Sequence, residues 1–395
     1  MKNVLILNPC LYTNGGGEKY MGYICQYLEN TYHDIHIDIL VYDYNGISTN
    51  NSNYTKIEDL NFKFGLNLKK TFVKRVRRDF WRLYSESFLL NWRIRKISQN
   101  YDLFINWNFL SKQVALAKSN VYLCMFPPQK YDYKKCRLLM RRYRRFLDKQ
   151  FIGGYDKFIN ISEFTQKWLY FYWPELSSQK CNIIYPPVYL KELISYDESV
   201  KENIIVSAGR FFIAGHNKKQ REMLKIFLEY EDKLQGYEYH LVGSVSSNED
   251  DRLYLEEIKR MAQRSKNVYI HEGCSIDELQ NLYRKSKVFW HATGYDVDEE
   301  TEPEKMEHFG ITTVEAMSFG VVPVVIDKGG QKEIVNDGIN GFLWDKFDKC
   351  IDRTKYLIKN EEKRKEMAKN AVNTAEQFSI EEFYAVCDPI FKTLM

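Results

Sequence analysis

An apolar run, Val321 to Ile326, lies between a segment of helical spacing and a Gly329-Gly330 corner that leads into a second short helical segment. A run this short, closed by glycines, reads as a strand buried on both faces, and such strands belong in parallel sheets covered by helices. Upstream, Glu307 and Glu315 stand eight positions apart around a Phe309-Gly310 turn, the second glutamate opening the amphipathic segment. The predicted order is loop, helix, buried strand, glycine loop, helix. It brings two carboxylates and free main-chain amides to the carboxyl end of a parallel strand, where open α/β sheets take their ligands. Glutamate is ordinarily a surface residue; the setting singles these two out.

The same alternation recurs along the chain. Val4 to Leu7 is a short apolar run, followed by the loop Tyr12 to Glu18 with its triple glycine, then by a helical pattern at Tyr20, Met21, Ile24 and Leu28. Gly16 and Gly17 let a ligand approach the main chain at a helix start, where a phosphate is stabilised. The loop lacks the last glycine of a dinucleotide fingerprint. Strands are predicted at Ile35 to Val41, Leu103 to Asn106, Val121 to Cys124 and Phe158 to Ser162, the last followed by a helix from Glu163 to Trp173 that Pro174 stops. Two prolines, Pro186 and Pro187, and the polar stretch Glu192 to Asn203 mark a boundary, giving a first domain of residues 1–188. A second domain, 189–375, restarts the strand pattern at Ile204 to Arg210 and repeats it at Tyr239 to Ser244, Val268 to Gly273 and Val288 to Ala292. Residues 376–395 form a closing helix with a serine cap at Ser379, expected to pack back toward the first domain. Strands alternating with helices predict an α/β, doubly wound architecture in both domains.

The length of 395 residues fits two domains, and 44% hydrophobic residues supply their cores. A formal charge of +4 selects no partner class. Eight scattered cysteines, with no C-x-x-C, argue against disulfides or a zinc site and for a reducing compartment. The apolar run at Val4 is too short for a signal peptide, and no run approaches the roughly 18 apolar residues of a membrane span. The expectation is a cytoplasmic protein. Two basic stretches, Lys69 to Arg82 and Lys134 to Arg145, carry interleaved aromatic and aliphatic residues at helical spacing. As helices they suit the anionic surface of the inner face of a membrane; no nucleic-acid module accompanies them. The acidic loop Asp296 to Glu304 lacks the ordered spacing of a calcium loop and reads as a solvated flap, so no metal is expected.

Arg210 ends the strand that opens the second domain, and Lys218 and Lys219 begin the helix after it. Two cations at a strand end and a helix start neutralise a diphosphate.

With these motifs assembled, the chain resembles the retaining glycosyltransferases of the GT-B fold, two Rossmann-like domains facing across a nucleotide-sugar cleft. The Glu307 to Glu315 pattern, E-H-F-G-I-T-T-V-E-A-M, carries the resemblance, with Gly15-Gly16-Gly17-Glu18, Ser207-Ala208-Gly209-Arg210 and Gly329-Gly330-Gln331-Lys332-Glu333 in support. The run from His291 through Pro303 to Gly310 resembles bacterial surface-polysaccharide transferases, and Tyr185-Pro186-Pro187-Val188 with Asn160 to Thr165 resembles mannosyltransferases that extend lipid-linked oligosaccharides. The resemblance implies a nucleotide-sugar donor, with a lean to GDP-mannose, and a lipid-linked or oligosaccharide acceptor, with no cofactor. It assigns Glu315 to the ribose and Glu307 to the transferred sugar. Arg210 and Lys218, or Lys219, fall on the diphosphate, which Gly16 and Gly17 approach from the other domain, and Phe309, Gly310 and Ile311 fall on the donor. Two departures stand out. The family's His-Phe-Pro is Met125-Phe126-Pro127 here, and the spacing from Arg210 to Lys218 is longer than usual. A UDP-sugar transferase, a nucleotide-sugar epimerase and a non-catalytic binding subunit are the alternatives.

Overall fold

The computed structural model describes the chain except residues 10, 12–14, 45–55, 79–87, 134–137, 189–195 and 235. It divides into two units, Met1–Pro186 together with Phe383–Met395, and Pro187–Glu382.

The N-terminal unit contains β1 (Lys2–Leu7), α1 (Gly16–Thr31), β2 (Ile35–Tyr44), α2 (Ile57–Phe64), β3 (Thr71–Arg78), α3 (Phe88–Ser98), β4 (Leu103–Asn106), β5 (Ser119–Cys124), α4 (Leu138–Gly153), β6 (Lys157–Asn160), α5 (Glu163–Tyr172) and β7 (Cys181–Ile183). Among the described residues the strands form one sheet in the order β3-β2-β1-β4-β5-β6-β7, with parallel pairing throughout. The chain runs outward from β1 in one direction and then, after β3, returns to its other side, so the order reverses between β1 and β4. Val4 to Leu7 are fully buried there, which explains their unbroken apolar character. Ser162 caps α5, its hydroxyl accepting from the Thr165 amide at 3.0 Å.

Two expectations about basic helices meet different outcomes. Thr71–Arg78, inside the first basic stretch, is an edge strand rather than a helix. Thr71, Val73 and Val76 are β-branched and stiff at χ1, a feature that suits a pleated surface. Thr71 is also tied by its hydroxyl to Glu29 at 2.7 Å. Exposed Lys74 and Arg75 then guard the sheet edge. The rest of that stretch from residue 79 lies outside the described residues, as do Lys134, Lys135 and Arg137 of the second. Arg141, Arg142, Arg144 and Arg145 do lie on a helix, α4. Its first turn leaves Leu138, Leu139 and Met140 in solvent, Leu139 by 79%.

The C-terminal unit contains β8 (Ile204–Ala208), α6 (Gln220–Tyr230), β9 (Glu238–Gly243), α7 (Glu249–Ala262), β10 (Val268–Glu272), α8 (Ile276–Lys285), β11 (Val288–His291), α9 (Ile311–Ser318), β12 (Val322–Ile326), α10 (Gln331–Ile334), β13 (Phe342–Trp344), α11 (Phe347–Lys359) and α12 (Glu361–Glu376). Its parallel sheet has the order β10-β9-β8-β11-β12-β13, the strand order of a dinucleotide-binding fold. Ile205, Leu241, Val288, Trp290, Val322, Val324 and Ile326 fill its core. Arg364 of α12 is fully buried and pairs with Glu198 and Glu361.

The last helix, α13 (Ile380–Lys392), contributes its residues from Phe383 onward to the N-terminal unit. There the Tyr27 hydroxyl donates to Asp388 at 2.8 Å, and the Tyr27 ring meets Tyr384 and Phe391 at 5.1 and 5.5 Å between centroids. No helix among the described residues is long and apolar enough to cross a membrane.

Candidate functional site

In the C-terminal unit the strand order reverses between β8 and β11, and the chain leaves their carboxyl ends toward opposite sides of the sheet. Such a switch point opens a crevice for a ligand. Two glycines shape its β8 side. A β-carbon on Gly243 would lie 2.1 Å from the Gly209 carbonyl oxygen, and one on Gly209 would lie 2.9 Å from Cγ of Lys218. Without them the Lys218 side chain could not lie across the end of β8. Gln220 holds the loop from below, its amide donating to the Gly209 and Arg210 carbonyls at 3.2 and 2.9 Å.

On the β11 side, His291 ends the strand, and the chain returns through the acidic loop to Glu307. The Glu307 carbonyl accepts from the Gly330 amide at 2.8 Å. A β-carbon on Gly329 would fall 2.3 Å from that same carbonyl, so this corner admits only glycine, which also adopts the left-handed φ of +60° found there. Gly310, with φ +119°, then starts α9, its carbonyl accepting from Thr313 and Val314 at 2.9 and 3.2 Å. The helix therefore begins at Ile311, four residues before Glu315, which sits half-buried inside it rather than opening it. The freedom of glycine at 310 is what moves the start upstream.

Glu307 is the centre of the arrangement. Its Oε2 accepts from the Lys218 ammonium at 2.5 Å and faces Nε2 of His291 at 3.0 Å. His291 is also 3.1 Å from the Thr293 hydroxyl, and its Nδ1 lies 3.3 Å from the Gln331 amide nitrogen. The Gln331 carbonyl in turn accepts from the Thr313 hydroxyl at 3.0 Å. Burial pushes the Glu307 carboxyl up, but Lys218 and His291 together outweigh it and hold the group well below the ordinary carboxylate range. Burial lowers His291 despite the carboxylate beside it. It also lowers His216 and His308, whose rings meet close by.

The expected site residues divide as follows. Lys218 and Glu307 touch. Phe309, Gly310 and Ile311 follow on the same loop, but the Phe309 ring packs on Phe378 with centroids 5.3 Å apart, so what it offers a ligand is main chain. Arg210 is exposed, its guanidinium 5.4 Å from the Phe212 ring centre. Lys219 is the N-cap of α6, at φ +56°, its amide held by the Asn217 side chain at 2.6 Å. Gly16 and Gly17 open α1 in the other unit, where Glu18 caps the helix by accepting from the Gly15 amide at 2.8 Å. A β-carbon on Gly17 would come within 3.3 Å of the Met125 sulfur, so Met125 lies against the glycine loop. The acidic loop is not a free flap. Glu299 accepts from the Gly329 amide at 3.0 Å and pairs with Lys332, while Lys328 donates to the Gly294 and Val297 carbonyls. His291, Gln331, Thr313, His216 and His308 were not among the expected site residues.

Residues 191–374, which carry this geometry, match the family model of glycosyl transferases group 1. A GDP-Man:Man(3)GlcNAc(2)-PP-Dol alpha-1,2-mannosyltransferase of Dictyostelium discoideum is 26% identical to this chain over 247 residues, 59% of this chain and 46% of the relative. The chain spans about half the length of the curated relatives it matches. A glycosyltransferase of Rickettsia africae superposes with a TM-score of 0.70 at 14% identity, covering 100% of this chain and 98% of that one. An Anabaena protein solved with UDP and glucose gives 0.68 at 15%, covering both chains completely. The fold is GT-B.

Proposed function

We propose that the protein is a retaining hexosyltransferase that moves a sugar from a nucleoside-diphosphate donor, GDP-mannose, to a lipid-linked or polysaccharide acceptor in the building of a cell-surface glycan such as an O-antigen or capsule. The observation that carries the reading is the Lys218–Glu307 pair at the switch point of the C-terminal sheet. In this reading Glu307 accepts from hydroxyls of the transferred sugar and Glu315 from those of the ribose. Lys218 and Arg210 neutralise the diphosphate, with the α9 N-terminus adding its amides from Ile311. Lys219 lends a further positive charge at the start of α6. In the N-terminal unit, Gly16 and Gly17 at the start of α1 offer the same main-chain chemistry to a phosphate.

The reaction needs little more than electrostatics from the protein. The bond from the sugar C1 to the phosphate oxygen breaks as the acceptor oxygen bonds to C1 on the same face, and the acceptor's proton passes to the leaving phosphate. Charge grows on the diphosphate as it departs, and fixed cations and helix amides in a site shielded from water stabilise that charge most. No metal has a part in this reading. The lean to GDP-mannose rests on the resemblance to mannosyltransferases, and a UDP-sugar donor is the second reading, favoured by the fold's likeness to a protein solved with UDP.

Peripheral attachment to the inner face of the cell membrane through α4 accounts for the exposed Leu138, Leu139 and Met140 beside four arginines. The deciding experiment is a thermal-shift panel of nucleotide sugars followed by transfer assays. A donor at 100 times its dissociation constant adds about 2.7 kcal/mol, and glycoside product must form with the stabilising donor. Donor conversion without an acceptor marks an epimerase instead, and binding with neither product marks a binding subunit.

A further inference from the structure

We propose that His291 is a positioning residue of the donor site, holding Glu307 aimed at the sugar while Lys218 is handed over to the diphosphate; this rests on the glycosyl-transfer reading above. The argument starts from the oxygen that is used. Both protein partners of the Glu307 carboxylate, Lys218 and His291, address Oε2, and among the described residues none of its hydrogen bonds reaches Oε1. A carboxylate oxygen has two lone-pair directions, so Oε1 is the oxygen left to accept from a ligand hydroxyl.

A bound diphosphate would compete with Glu307 for the Lys218 ammonium. An ammonium drawn to a diphosphate turns from Glu307, and a carboxylate released by Lys218 would be free to rotate. The imidazole is what remains. For that it must present a proton at Nε2, and its surroundings fix that tautomer. The Thr313 hydroxyl donates to the Gln331 carbonyl oxygen, which turns the Gln331 amide nitrogen toward Nδ1 of His291. An amide N–H can only donate, so Nδ1 accepts and the proton resides on Nε2, facing the carboxylate. The opposite assignment would set a lone pair of His291 against the Glu307 charge. Gly310 sits where a β-carbon would lie 2.8 Å from the Gln331 amide nitrogen, so the turn before α9 leaves room for this relay. Thr313, Gln331 and His291 are each almost fully buried, which shields their hydrogen bonds from competition with water.

The test reads the tautomer directly and then the sugar. Nitrogen-15 histidine spectra of the wild-type protein at neutral pH are expected to show His291 with a pyridine-type Nδ1 and a pyrrole-type Nε2; the reverse tautomer overturns the proposal. Gln331→Glu, which sets a second carboxylate at Nδ1, is expected to convert His291 to imidazolium at neutral pH; an unchanged neutral ring overturns the relay. In binding, Gln331→Met and His291→Phe are expected to weaken the nucleotide sugar about 10-fold while leaving the nucleoside diphosphate within about 2-fold, and His291→Gln, which keeps an N–H donor, to restore much of the loss. Equal losses for sugar-bearing and sugar-free nucleotide overturn positioning in favour of a packing role. Should His291→Phe fail to fold, Gln331→Met and Thr313→Val carry the same comparison. A wild-type protein that transfers sugar from no donor overturns the glycosyl-transfer reading instead, and the tautomer measurement, which needs no turnover, still decides the relay.

Discussion

His216 and His308 meet edge to face, their ring centroids 4.6 Å apart, beside the Glu307 loop. His308 is anchored through Nε2 to the Glu304 carbonyl at 3.2 Å. Burial lowers both rings from their ordinary value of 6.5; Lys218 and Arg210 lower His216 further, and His216 lowers His308. The unfolded chain therefore binds more protons than the folded one below that value. The stability these rings permit is present above pH 6.5 and is lost as the pH falls through their folded values. Thermal unfolding followed from pH 7.5 to 5 is expected to decline on the acid side, and His216→Phe, which keeps the edge-to-face packing without the charge, to flatten that decline.

Glu307→Gln keeps the shape of the site and removes its charge. The expected result is a loss of at least about 100-fold in kcat/KM, the scale of one lost electrostatic contact in an active site, with the unfolding temperature close to wild type. Transfer within a few-fold of normal would remove Glu307 from the site.

Lys218 and Lys219 are adjacent in sequence but not in geometry. Lys218→Met is expected to cost about 100-fold in transfer. Lys219→Gly relieves a left-handed backbone and removes only a half-buried charge, so it is expected to keep stability within about 1 kcal/mol of wild type, or raise it, and to change transfer far less. Steady-state kinetics on the two variants decide the assignment.

Gly330→Ala would bring a β-carbon within 2.6 Å of both the His308 carbonyl oxygen and the Phe309 α-carbon. Backbone cannot yield as a side-chain tip can, so a destabilisation of about 1–3 kcal/mol is expected, measured by urea unfolding, together with weaker donor binding because the Glu307 loop must move.

Replacing Arg141, Arg142, Arg144 and Arg145 of α4 by glutamine removes about 1 kcal/mol of attraction per residue near an anionic surface. Flotation with phosphatidylserine-containing vesicles is expected to fall accordingly, and binding that survives both this change and Leu139→Ser would end the membrane reading.

How much of this was legible in the sequence depended on the range of the cause. β1, β8, β11 and β12 showed as short apolar runs because burial on both faces favours apolar residues along most of their length. Glu307 showed through its spacing from Glu315. The strand β3 departs from the helical expectation because exposed Lys74 and Arg75 mask its alternation, while the tie from Thr71 to Glu29 spans 42 residues. His291 read as the polar end of an apolar run. Its partner Gln331 is 40 residues away, and no local pattern connects them.

The N-terminal unit is completed by Phe383–Met395, which sets Phe391, Tyr384 and Asp388 against Tyr27 of α1. During synthesis this unit must therefore wait, unfinished, while residues 187–382 emerge. The C-terminal unit, made entirely of contiguous chain, has no such wait. A chain cut short before residue 383 would keep the Lys218–Glu307 pair of its C-terminal unit and lose the finish of its N-terminal unit, so damage at one end of the sequence would surface at the other.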